Sequence, residues 1–183
     1  MSDERVQREE VVVAARGLRA RGLTAGKSGN VSARLGEGFL VTPSGVAYDM
    51  LGPEQIVRVD ATGTPAAGGL VPSSEWQLHR EIYRARPDIH SIVHAHPRHS
   101  TALACARREI PAFHYMVAIA GGRSIRCAPY ATFGSIELAR NAVDALRTSN
   151  PDDYELVRQV YGDDGSGSNG PTTQRVALVR KPG

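Results

Sequence analysis

A chain of 183 residues, 41% hydrophobic and 22% charged, holds enough apolar material for one domain with its own core and is short for two. Its 22 basic and 19 acidic residues are scattered to a net charge of +3, with no basic run beside aromatics, which speaks against nucleic acid and leaves small anionic substrates open. Cys105 and Cys127 make no disulfide framework, and the charged start MSDERVQREE is unlike a signal peptide. No apolar stretch nears the roughly 20 residues of a membrane helix, so no membrane and a cytoplasmic location are expected.

From Asp3 to about Arg21 the apolar spacing predicts an amphipathic helix, closed by Gly22. The small-residue loop GLTAGKSGN then runs into the alternating segment Asn30–Leu35. Short strands are predicted over Phe39–Val41, stopped by Pro43 and Gly45, and over 56–60. SSEWQLHREIYRARP has the pattern of a helix, with Ser74 as cap, Gln77 completing a capping box and Pro87 beyond its end. SIVHAHP reads as a strand, about Ser100–Arg107 as a helix, HYMVAIAGG and SIRCAPYA as strand and loop pieces, and SIELARNAVDAL as a last helix. Interleaved helices and strands predict an α/β or α+β domain over 1–147. From Thr148 the composition is that of a flexible tail, 148–183, in which VALV is one candidate strand.

Five of the six histidines fall between Ser74 and Ser100. On a strand, His94 and His96 face the same side, a spacing that suits two nitrogens on one divalent metal; two polar residues on a surface strand are the plainer alternative. Glu75 and His79 share a helix face, where an exposed polar pair competes with an approach to a metal. Glu75 sits in the first turn behind Ser73 and Ser74, where free N–H groups favour an anion and a carboxylate beside a metal is placed to move a proton. His99 is expected to open the next helix, and His90 to be exposed. GKSGN, Gly26–Asn30, is a second anion candidate: glycines let backbone amides converge, and Lys27, Ser28 and Asn30 add donors, although an ordinary tight turn has the same composition.

Together GLTAGKSGNVS, LVTPSGVAYDML, LVPSSEWQLH, VHAHP, IPAFHYMVAIAGG and CAPYATFGSIELA resemble the class II aldolase family, most closely its L-fuculose-1-phosphate branch. The blocks follow family order from about Arg21 to Arg147. The resemblance implies a three-layer α/β/α domain with a central, mainly antiparallel sheet, assembled as a homotetramer. It implies zinc on His94 and His96, and Glu75 as general acid/base that also touches the metal. Phosphate falls to Gly29, Asn30, Ser44, Gly45, Ser73 and Ser74, and Tyr115 becomes a proton donor in a neighbouring subunit's site. Lys27 replaces a threonine of the family pattern. The implied reaction is zinc-assisted retro-aldol cleavage of a phosphorylated ketose such as L-fuculose 1-phosphate to dihydroxyacetone phosphate and an aldehyde.

One departure stands out. The family's third zinc histidine belongs to a His-Gly segment beyond the helix ending near Arg147, and no histidine follows His114. The expectation is therefore a chain lacking the family's C-terminal elements, with weak zinc binding and poor turnover. The alternatives are a sugar-phosphate 4-epimerase or methylthioribulose-phosphate dehydratase of the same fold, or a non-catalytic phosphate-binding remnant.

Overall fold

The computed structural model describes residues 3–115, 117 and 124–147. Helix α1 (Asp3–Ala20) leads into strands β1 (Asn30–Leu35) and β2 (Gly38–Val41), two short 3-10 turns, and strand β3 (Val57–Val59). Helix α2 (Trp76–Ala85), strand β4 (Ser91–His94), helix α3 (Arg98–Cys105) and helix α4 (Ile136–Arg147) follow. The four strands form one sheet in the order β3–β2–β1–β4, and every adjacent pair is antiparallel.

Alternation along the strands gives the sheet two apolar faces, and each is covered. Val31 and Leu40 point to one side, where Val11, Val12, Ala15 and Leu18 of α1 pack with Tyr48, Leu51 and Ile56. Phe39, Val41, Val57, Val59 and Ile92 point to the other, against Ile82 and Tyr83 of α2 and Val143 of α4. The result is the expected helix–sheet–helix sandwich, because a sheet with two apolar faces needs a layer on each.

Three features of the sequence reading need correction. Helix α2 begins at Trp76, with Glu75 at the cap position and no side-chain cap, so neither the Ser74 cap nor the Gln77 box forms. Ser73 shapes that turn instead: its carbonyl accepts the Trp76 N–H at 3.0 Å and its hydroxyl accepts the Glu75 N–H at 3.3 Å. Strand β4 ends at His94 rather than running through the HAH segment, and the His96 N–H turns away to the Leu23 carbonyl at 2.9 Å. Glu75 and His79 are no exposed pair, since both side chains are buried. The tail 148–183 with its candidate strand VALV, and most of MVAIAGG, lie outside the described residues.

Candidate active site

The register of β1 on β4 places Asn30 opposite His94 and Ser32 opposite Ile92. Residues two apart share a face, so Asn30 and Ser32 both look toward α2. There α2 contributes His79 and Tyr83, four residues apart on its buried side. His79 is 0% exposed, and burial, helped by nearby His94 and opposed by Glu75, depresses its pKa to about 3. It is therefore neutral and carries a single N–H.

That one proton orders a chain of hydrogen bonds. His79 Nε2 donates to the Asn30 carboxamide oxygen, so His79 Nδ1 is the acceptor for Ser32 Oγ at 2.6 Å. Ser32 in turn accepts from the Tyr83 hydroxyl at 2.8 Å, a phenol that burial keeps protonated. At the other end the Asn30 Nδ2 donates to His94 Nδ1 at 3.2 Å. The sequence reading missed Ser32, His79 and Tyr83 as a unit. The helical spacing of His79, Ile82 and Tyr83 was the available signal, because a histidine sharing a stripe with apolar residues enters the core with them.

Glu75 meets this chain at its end. Its buried Oε2 lies 2.5 Å from His94 Nδ1. Burial pushes the Glu75 carboxyl up, but His94, with lesser help from His79 and His96, outweighs it, and the net shift is downward. The carboxylate is thus ionised at neutral pH. The His96 ring stands beside His94 with centroids 4.7 Å apart, and burial with the neighbouring His94 lowers its pKa against the pull of Glu75.

Glu75 Oε2 and His94 Nδ1, 2.5 Å apart and with the His96 ring alongside, gather three potential metal donors at one corner. Two imidazoles and one carboxylate are a donor set that zinc accepts, so the residues fit the expected ion in kind, and His94, His96 and Glu75 would hold it. As their side chains stand, no group of three or more His, Cys, Asp or Glu among the described residues closes around one point. His99 lies in the first turn of α3 and His90 is exposed, as the sequence suggested.

The remaining expected residues line three linked segments. Lys27 Nζ donates to the Gly45 carbonyl at 2.7 Å, tying the first loop to the second. The Ser44 N–H reaches the Val71 carbonyl at 2.8 Å and the Ser73 N–H the Thr42 carbonyl at 3.0 Å, tying the second to the third. Gly29 has a φ of +82°, and a Cβ there would stand 2.8 Å from the His94 carbonyl oxygen, so only glycine lets this loop close on β4. Gly134 backs onto the Ser74 carbonyl in the same way, a contact the sequence reading did not find. Gly29 and Asn30 thus adjoin His94 and Ser73 adjoins Glu75, with the Asn30 amide engaged by two histidines, while Ser44 and Gly45 are held to Val71 and Lys27. Tyr115 is not drawn in: its side chain is 67% exposed and lies against His114, ring centroids 4.3 Å apart.

Residues 9–159 match the family described as the Class II Aldolase and Adducin N-terminal domain. The chain belongs to the class II aldolase family. It is 48% identical over 154 residues to a 5-methylthioribulose-1-phosphate/5-deoxyribulose-1-phosphate aldolase of Escherichia coli, covering 84% of this chain and 70% of that relative. It is 49% identical over 126 residues to an L-fuculose phosphate aldolase of Shigella flexneri, covering 69% of this chain and 58% of that one. A solved L-fuculose 1-phosphate aldolase superposes with a TM-score of 0.75 at 37% identity, over 81% of this chain and 69% of the other. The chain thus spans 58% and 70% of the lengths of those two curated relatives.

The buried neutral His79 makes stability depend on pH. Its folded pKa, about 3, is below the ordinary value of 6.5, so as pH falls through 6.5 the unfolded chain gains a proton that the folded chain refuses. Stability from this group is complete above pH 6.5 and is lost toward pH 3, at up to about 1.4 kcal/mol per pH unit. Urea unfolding between pH 4.5 and 8 should show this loss, and His79→Gln should reduce its slope; an equal slope in both proteins would remove His79 as the cause.

Proposed function

We propose that this aldolase-family chain cleaves a 1-phosphorylated ketose by a metal-dependent retro-aldol reaction at the Glu75–His94–His96 corner. The observation that carries the reading is the buried Glu75 carboxylate, its Oε2 2.5 Å from His94 Nδ1 in a corner that also holds the His96 ring. A zinc ion held there supplies Lewis-acid polarisation of the substrate's oxygens. The chain's own residues do the rest. Backbone amides and hydroxyls of the segments around Gly29, Ser44–Gly45 and Ser73–Ser74 bind the phosphate and fix the ketose carbon skeleton over the histidines, with Lys27 adding charge at the rim. As the carbon–carbon bond breaks, the Glu75 carboxylate takes the proton from the hydroxyl on the departing carbon, which becomes an aldehyde, and returns that proton to the carbon left behind, giving dihydroxyacetone phosphate.

L-fuculose phosphate and a 5-deoxy- or 5-methylthio-ribulose 1-phosphate are the candidate substrates, a choice supported by the names of the relatives. These share the phosphorylated end and differ in the aldehyde released, which is why the phosphate segments and Glu75 suit either. A homotetramer follows from the same reading, with Tyr115 delivering its hydroxyl to a neighbouring subunit's site, in keeping with its exposed ring.

Product analysis on both ketose phosphates tests the reaction and separates it from the epimer or dehydrated sugar that other enzymes of this fold would give. Glu75→Gln should lower kcat about 10²–10⁴-fold with a smaller change in KM, and chelator treatment should abolish turnover until zinc is returned. Turnover that survives either change would refute the assignment. Tyr115→Phe and Glu75→Gln subunits, each impaired alone, should recover activity when mixed, and no recovery in verified mixed oligomers would place Tyr115 outside a neighbour's site.

A further inference from the structure

Two ties join the first loop to the second, one at the surface and one inside. Outside, Lys27 Nζ donates to the Gly45 carbonyl. Inside, the Tyr48 hydroxyl donates to the Gly29 carbonyl at 2.5 Å. Tyr48 is 4% exposed within the core under α1, and burial, opposed by a hydrogen bond with Thr42, raises its pKa, so the phenol keeps the proton it donates. Its backbone is fixed in turn, because Arg16 of α1 reaches the Tyr48 carbonyl at 3.3 Å and the Leu51 carbonyl at 2.9 Å.

The rest of the first loop is held by its carbonyls as well. The Thr24 hydroxyl donates to the Ser28 carbonyl, and the Ser28 hydroxyl to the Ala25 carbonyl at 2.6 Å. The N–H groups of the same peptides are left to the outside: among the described residues, those of Gly26 and Gly29 have no partner. A trans peptide is planar, so a carbonyl pulled inward turns the following N–H outward. Gly29, at φ +82°, is the residue where this matters most. Glycine turns freely about both of its dihedrals, yet here Thr24 pins the peptide before it and Tyr48 the peptide after it.

We infer that Tyr48 and Thr24 are positioning residues for the substrate's phosphate: by pinning the peptides on either side of Gly29 from within, they keep the Gly29 N–H, with that of Gly26, turned out as a preformed donor to the anion. Neither side chain touches the phosphate. Both act by removing, before the ligand arrives, the freedom that binding would otherwise have to remove. The inference rests on the proposed placement of the phosphate at this loop.

Tyr48→Phe keeps the packed ring and removes the tie after Gly29, and Thr24→Val removes the tie before it. Inorganic phosphate is titrated into the full chain at constant ionic strength and followed by the 15N–1H signals of Gly26 and Gly29, with folding checked by circular dichroism. Those signals should move to saturation in the wild type, and the phosphate Kd should rise about 3–10-fold in each variant, the worth of one hydrogen bond. On the ketose phosphate KM should rise by a like factor, while kcat stays within about twofold and zinc affinity, read against a chelator, is unchanged. A merely structural role would lower kcat and zinc affinity together with phosphate binding. Should Tyr48→Phe not fold, Thr24→Val decides by the same readings. Wild-type phosphate affinity in a folded variant, or a joint fall of kcat and zinc binding, would overturn the inference and leave the phosphate placement standing. Wild-type loop signals that ignore phosphate would overturn that placement and the inference with it. Phosphate binding as expected without retro-aldol turnover would overturn the proposed reaction alone.

Discussion

In the ladder between β1 and β4, Asn30 stands opposite His94, and the site depends on that register being held. A slip of one residue would turn Asn30 and Ser32 onto the α1 side and carry Val31 and Ala33 toward His79. The apolar faces forbid it, because Val31 and Leu40 pack under α1 while Phe39, Val41 and Ile92 pack under α2 and α4. Hydrophobic alternation thus does the work of placing a polar residue. The free energy that sets the register is the burial of valines and leucines, and the carboxamide comes to His94 as a consequence.

The cost of that arrangement is a stripe of polar groups inside the sandwich. Ser32, His79 and Asn30 are all buried, and leaving any one unpaired would cost about 1–3 kcal/mol. They are tolerated because each satisfies the next. Glu75 stands at the end of this network, its carboxylate buried against His94. A buried carboxylate at the edge of that interior brings a negative charge for which a cation is a fitting partner.

Much of this was legible in the chain. The helix at Asp3, the strands around Val31, Leu40 and Val57, and the last helix followed from period and turn residues. His94 and His96 were singled out by their spacing, although the strand that spacing assumed ends at His94. What was not legible was how Asn30 is used. As one residue of GKSGN it read as a phosphate-loop donor, and only the pairing of two strands 64 residues apart in sequence shows its amide held between two histidines. His79 was hidden for the opposite reason, since polar pairs four apart on a helix are usually solvated, and its burial depends on α2 lying across β1. The Ser74 cap failed because Glu75, turned toward His94, took the cap position of the helix.

The account's central claim is that Glu75, His94 and His96 share one cation. Crystals of the full-length protein grown with zinc, with anomalous data collected on both sides of the zinc absorption edge, test it most directly. The account predicts a peak bonded to both imidazoles and to a Glu75 carboxylate oxygen, each at about 2.0–2.2 Å. A zinc peak elsewhere, on His99 or His114 for instance, or none at this corner in zinc-saturated crystals, would contradict it.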